Sequence, residues 1–218
     1  MSGSVPDDLW PADPVERAAA AAAAGLARPG PGTLDALSRL VDADTDPRVR
    51  AAALGALARL PAPPVEAWVR AAADPDPSVR RRAADLAPAF ARSAVEVGSG
   101  LLALLADDDP EVAEAAAWAL GELGPAAVEA GAVTRLAEAA GGHDDPLVRE
   151  AAVAALGALG DQDGLEALLA ACSDKPAIRR RAVLALAAFE GPAVEAALRA
   201  ALEDKDWQTR QAAEDLLG

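Results

Sequence analysis

The sequence predicts an all-α protein, a right-handed α-solenoid of about six two-helix repeats with an N-terminal capping helix. A short template that begins with Asp-Pro recurs at steps of 30 to 36 residues, and such a period is the signature of a repeat architecture. Apolar residues follow each copy at the spacing of one helix face. The chain is 52% apolar but only 3% aromatic, so its core consists of Ala, Leu and Val, which suits closely packed helices better than a sheet.

Each copy of the template encodes the start of a helix. The Asp side chain can cap free backbone N–H groups, and Pro is favoured at the first helical position because its missing donor costs nothing there. We call the Pro positions anchors and the helices that begin there anchor helices. The full copies have anchors at Pro14, Pro47, Pro77, Pro110 and Pro146, and weaker copies follow at Pro176 and Trp207. A second amphipathic segment follows each anchor helix, so one repeat is two antiparallel helices.

This pattern resembles HEAT repeats, in particular the short HEAT-like repeats of phycobilisome lyases, and the resemblance extends from Pro14 to Leu217. An insertion at residues 125–133 resembles an armadillo repeat, in which an extra short helix lies between the two long ones. Because a single repeat cannot bury its apolar face alone, we expect one continuous solenoid domain over residues 14–218. Residues 1–13 are then an N-terminal tail or cap.

The resemblance also implies a ladder of ion pairs along the stack, because this family pairs the anchor Asp with an Arg of a neighbouring repeat. The ladder is expected to weaken on both sides of the fourth anchor, where Ala113 and Lys175 depart from the pattern. By position, the ladder residues are Asp46, Asp76, Asp109 and Asp145 with Arg50, Arg80, Arg149 and Arg179.

The charge of the chain argues against two classes of partner. The formal net charge is −15, which repels phosphate backbones and anionic lipid surfaces, so neither nucleic acid nor a membrane is an expected partner. The N-terminal residues lack the pattern of a secretory signal, and no window is apolar enough to span a bilayer. Cys172 is the only cysteine, which excludes an internal disulfide and fits a reducing compartment. We therefore expect a cytoplasmic protein.

Few residues are candidates for catalysis. His143 is the only histidine and lies in a loop before a helix, where a solvent-exposed turn residue is expected. It has too few neighbouring ligands for a zinc site, and the His–Glu pairs that hold iron in HEAT-like deoxyhypusine hydroxylases are absent. Cys172 has no nearby His to activate it and is expected to be a small core residue. We predict no catalytic residue, no bound cofactor and no metal site.

The resemblance implies that the anchor helices line the concave side of the solenoid. Side chains at the first, fourth, eighth and twelfth positions after each anchor are then expected to face the groove. Trp118 is the most informative of them, as an exposed anchor for a partner or, equally well, as packing against the next repeat. The predicted partner-binding residues are Arg81, Asp85, Glu111, Glu114, Trp118, Glu122, Leu147, Glu150, Arg180 and Leu184.

These expectations favour a non-catalytic scaffold or adaptor, most simply a monomer, that binds a protein or peptide on its concave face. A partner with a basic segment would complement the Glu side chains around Trp118. The alternative is an accessory lyase or chaperone subunit that resembles the bilin lyases and binds a tetrapyrrole or its carrier protein.

Overall fold

The computed structural model describes residues 10–26 and 32–218, and in these ranges the regular structure is entirely helical. Residues 1–9, most of the predicted tail, lie outside the described residues. Short 3₁₀ segments occur at Ala87–Ser93, Gln162–Gly164 and Leu186–Ala188. The α-helices are α1 Pro14–Ala24, α2 Thr33–Ala43, α3 Pro47–Leu57, α4 Val65–Ala72, α5 Pro77–Leu86, α6 Ala94–Leu104, α7 Pro110–Leu123, α8 Pro125–Glu129, α9 Ala132–Gly142, α10 Pro146–Leu159, α11 Leu165–Ala171, α12 Pro176–Ala185, α13 Pro192–Ala201 and α14 Trp207–Leu217.

The chain divides into two compact units, Met1–Gly100 and Leu101–Gly218, and the division falls within α6. In the first unit, α1, α3 and α5 pack side by side, and α2 and α4 form a second layer on them. In the second unit, α7, α10, α12 and α14 pack in sequence, while α9, α11 and α13 cover them. The prediction of one domain over residues 14–218 stays a prediction.

The anchor residues start helices as the sequence predicts. The Asp before each full anchor lies outside the helix, and its carboxylate accepts a hydrogen bond from the backbone N–H two residues later. Lys175 makes no such bond before α12, whereas Asp206 caps α14 through the N–H of Thr209. The capping residues at the full anchors are Asp13, Asp46, Asp76, Asp109 and Asp145. The armadillo-like insertion forms the short helix α8, as expected.

The core consists mainly of Ala, Leu and Val, with one aromatic group in the first unit. Trp68 is fully buried, its indole N–H donates to the carbonyl of Ala83 at 2.7 Å, and its ring packs near Phe90. A Cβ on Gly100 would lie 2.6 Å from this ring, so the glycine makes room for it. Elsewhere the small side chains let helix backbones approach each other closely.

The ladder is present, but its acceptor is a different Asp from the predicted one. In each ion pair, which we call a rung, an Arg three residues after an anchor donates through Nε and Nη2 to both oxygens of an Asp in the next repeat. The Nε–carboxylate distance is 2.6 Å in the first rung and 2.7–2.8 Å in the others. The rungs within the first unit are Arg17–Asp44 and Arg50–Asp74, and those within the second unit are Arg149–Asp174 and Arg179–Asp204.

The predicted pairing of the anchor Asp with an Arg of a neighbouring repeat was wrong, because the carboxylate of that Asp caps its own helix. The ladder Asp precedes it in the same loop, and in three of the rungs it also accepts the backbone N–H of the capping residue. The Arg of the same repeat donates through Nη1 to loop carbonyls, as Arg50 does to Asp44. The hydrogen bonds from Arg149 and Arg179 lower the pKa of Asp174 and of Asp204, respectively, below the ordinary range.

One rung is missing within the second unit. Ala113 stands at the Arg position of α7 and supplies no donor, as expected from the sequence. His143 stands at the matching Asp position, and its Nδ1 accepts the N–H of Asp145 at 3.1 Å. The expected weakness at Lys175 was wrong, since the ladder acceptor there is Asp174 and its rung is intact.

We predict that Arg50→Ala lowers the free energy of unfolding by about 3 kcal/mol, because it leaves the carboxylate of Asp74, which is 7% exposed, buried without its partner. Arg48→Ala is the matched control, since this exposed Arg pairs only with the cap Asp46, and we expect a loss below about 1 kcal/mol. Urea unfolding followed by circular dichroism measures both. Equal losses in the two variants would contradict the role of the ladder.

Candidate functional site

Eight of the predicted partner-binding residues lie in the second unit, on three neighbouring anchor helices. The three helices pack side by side, α7 against α10 and α10 against α12. Arg81 and Asp85 lie instead on α5 of the first unit, where both are exposed. The eight are Glu111, Glu114, Trp118 and Glu122 on α7, Leu147 and Glu150 on α10, and Arg180 and Leu184 on α12.

Trp118 is the centre of this surface. Its side chain is 42% exposed, so it is not a core residue. The guanidinium of Arg181 lies over the indole ring, 5.6 Å from the ring centroid, which is a cation–π distance. Nη2 of Arg181 also approaches Oε1 of Glu150 at 3.4 Å, so Arg181 bridges α7 and α10 from its place on α12.

A shallow depression of about 290 Å³ lies beside the indole. Leu184, which is 45% exposed, borders it together with Trp118, and the other apolar lining residues are small. A depression with large apolar side chains at its rim and methyl groups on its floor can receive one apolar side chain of a partner. The lining residues are Trp118, Ala154, Gly157, Ala158, Arg181, Leu184, Ala185, Ala187 and Ala188.

Small residues on α10 explain how side chains from α7 and α12 border one depression. A Cβ at Gly157 would lie 2.5 Å from Cβ of Ala185, so at this point only the methyl group of Ala185 separates α10 from α12. A Cβ at Gly121 would lie 3.1 Å from Cα of Ala155, so α7 and α10 are also close. The close packing of α7, α10 and α12 therefore also brings Trp118 and Leu184 to the same depression.

The negative charge of the chain is concentrated in the second unit. Residues 101–218 carry 22 Asp and Glu against 9 Lys and Arg, a net charge of −13 out of −15 for the whole chain. The surface of α7 contributes Glu111, Glu114 and Glu122, of which Glu114 is half-buried and the other two are exposed. A positively charged partner is thus attracted to this unit.

The arginine that contacts Trp118 is not among the predicted residues. Arg180 hydrogen-bonds to Gln208 on α14, whereas Arg181, which was not predicted, contacts Trp118. The two lie at the fourth and fifth positions after the anchor, and the sequence does not show which of them contacts Trp118, because that depends on side chains of the neighbouring repeats. Small residues one helix over, at Ala154 and Gly157, are the signal that would have indicated the space for Arg181.

The loop before α10 offers no metal site. His143 uses Nδ1 to accept the N–H of Asp145, as the ladder Asp does in other repeats. Over residues 10–26 and 32–218, no three His, Cys, Asp or Glu side chains are grouped so that they could hold a metal ion. In the same ranges, no helix combines the length and apolar character that crossing a membrane requires.

Cys172 lies at the end of α11 with its thiol donating to the carbonyl of Leu168 at 3.4 Å. Burial raises the pKa of this thiol to about 11, which keeps it protonated near neutral pH. A protonated and partly buried thiol is a poor nucleophile.

The repeat geometry defines a class of proteins, the helical repeat proteins, and comparison with family models identifies the family within it. The model for HEAT repeats matches residues 11–87, 65–140 and 98–178, and the model for the PBS lyase HEAT-like repeat matches residues 178–204. The chain belongs to the HEAT-repeat family. No match is found among curated proteins.

Solved structures agree on the fold. An engineered protein is 24% identical with a TM-score of 0.63, over 84% of this chain and 96% of its own. A designed armadillo repeat protein is 18% identical with a TM-score of 0.56, over 84% of this chain and 98% of its own. A chain in the structure of Kap95p bound to RanGDP is 18% identical with a TM-score of 0.60, over 85% of this chain and 30% of its own. At these identities the likeness concerns the fold alone.

We predict that Cys172 reacts with Ellman's reagent at pH 8 about a hundredfold more slowly than glutathione, because its pKa of about 11 leaves little thiolate. Unfolding in urea should restore the ordinary rate. A native thiol as reactive as glutathione would show that Cys172 is an available nucleophile.

Proposed function

We propose that this protein is a non-catalytic scaffold or adaptor that binds a protein or peptide on the exposed face of α7, α10 and α12. The observation that carries the proposal is the pairing of Trp118 with Leu184 around a depression floored by small residues. Exposed Trp beside an apolar pocket is typical of the centre of a protein interface.

The charges of the second unit support a partner with a basic segment. With a net charge of −13, this unit accelerates the approach of a positively charged partner and disfavours acidic competitors. The similar chain in the structure of Kap95p bound to RanGDP comes from a protein complex, which supports binding of a protein but not the choice of partner.

The alternative is an accessory lyase or chaperone subunit that binds a tetrapyrrole or its carrier protein. Its support is the match of the PBS lyase HEAT-like repeat, which covers residues 178–204 and includes Arg180, Arg181 and Leu184. Visible absorbance in protein purified from its native host would favour this alternative over the scaffold.

A photo-crosslinking amino acid at position 118, introduced in the native host, should capture the partner directly. The identified partner is then expected to bind a Trp118→Ala variant at least about thirtyfold more weakly than the wild type, because the aromatic anchor is lost. Isothermal titration calorimetry gives the affinities, and circular dichroism confirms that the variant is folded.

Trp207→Ala is the matched control, since Trp207 is 64% exposed on α14 and does not line the depression. Its affinity should stay within twofold of the wild type. If both variants bind the partner as the wild type does, the proposed binding face is wrong.

A further inference from the structure

Trp118 and Glu150 together form a receptor for a cation. The face of an indole attracts a positive charge, and a carboxylate beside it adds a charged acceptor. Arg181 occupies this receptor in the structure, with its guanidinium over the ring of Trp118 and Nη2 towards Glu150. The occupant is thus part of the chain itself.

The guanidinium of Arg181 makes few good hydrogen bonds in this position. Its contact with Glu150 is 3.4 Å long, at the outer limit of a hydrogen bond, and its Nε is buried with no acceptor among residues 10–26 and 32–218. By comparison, Arg179 on the same helix makes two bonds of 2.7 and 2.8 Å to Asp204. An unpaired buried donor is unfavourable, so little holds Arg181 over the ring.

The charge of the second unit and the apolar depression determine which side chain of a partner can replace Arg181. The second unit has a net charge of −13, which attracts cations and repels carboxylates. The depression bordered by Leu184 lies beside the receptor, so an apolar residue next to the cation in the partner would enter it.

We propose that Trp118 and Glu150 receive an arginine or lysine side chain of a basic partner segment, and that Arg181 covers this receptor until the partner displaces it. This inference rests on the proposed function and names the chemistry of the partner. In this proposal, Arg181 competes with the cationic side chain of the partner for Trp118 and Glu150, and Arg181 does not itself bind the partner.

The test uses a hexapeptide of alternating leucine and arginine as probe, and the matched leucine–glutamate hexapeptide as control. Binding is followed by NMR through the indole N–H signal of Trp118, which is assigned by its loss in a Trp118→Phe variant. The arginine peptide should bind Arg181→Ala about fivefold more tightly than it binds the wild type, because the cation–π competitor has been removed.

Arg180→Ala is the matched control, because it removes the same charge from the adjacent position, where the guanidinium contacts Gln208 and not Trp118. It should bind the arginine peptide more weakly than Arg181→Ala does. Glu150→Gln should weaken binding of the arginine peptide, because the receptor loses its carboxylate.

Either of two results overturns the inference. One is equal or weaker binding of the arginine peptide by Arg181→Ala than by Arg180→Ala. The other is preferential binding of the glutamate peptide, lost in Arg181→Ala, which would make Arg181 the ligand of an acidic partner. Neither result contradicts the proposed function. The proposed function is tested separately, by whether Trp118→Ala weakens binding of the partner identified by crosslinking.

Discussion

A two-helix repeat has an apolar face that it cannot bury by itself, and this constraint shapes each unit of the protein. Burial is achieved by stacking repeats through small residues, as where Gly157 meets Ala185 with no room for another Cβ. Packing of alanines against alanines gives little preference for one register over another, because their side chains are nearly uniform. The rungs of the ladder add that preference, since a guanidinium binds a carboxylate through two bonds of fixed geometry.

The candidate binding surface is a consequence of the same packing. Close approach of α7, α10 and α12 lets Trp118 and Leu184 border one depression. The missing rung at Ala113 and His143 lies within the same pair of repeats, so here no rung of the ladder joins α7 to the loop before α10. An exposed indole, the Glu side chains of α7 and a weakly held Arg181 then occur together in the more acidic of the two units.

Most of the fold could be predicted from the sequence because its signals are local. An Asp before a Pro specifies a helix start by hydrogen bonds within three residues, and the structure has a helix at each anchor. The ladder could be predicted only in part. Two aspartates such as Asp44 and Asp46 are chemically alike, and only the direction of the chain around the cap turns one towards its own helix and the other towards Arg17.

The sequence indicated which helices carry the candidate site, but it did not distinguish between adjacent positions on one helix. Trp118 and Leu184 are both partly exposed, whereas the sequence left open whether Trp118 faces solvent or packs against the next repeat. Arg180 and Arg181 are adjacent on α12, so their side chains leave the helix axis about 100° apart. Contacts with other repeats determine which of the two lies over Trp118.

The role of the ladder can be tested most directly by a double-mutant cycle on Arg149 and Asp174, with unfolding free energies from urea denaturation. We predict a coupling of about 2 kcal/mol for this pair, and a coupling below about 0.5 kcal/mol for Arg149 with Asp145, which caps α10. Coupling of Arg149 to Asp145 as strong as to Asp174 would contradict the separation of capping and ladder residues on which the account rests.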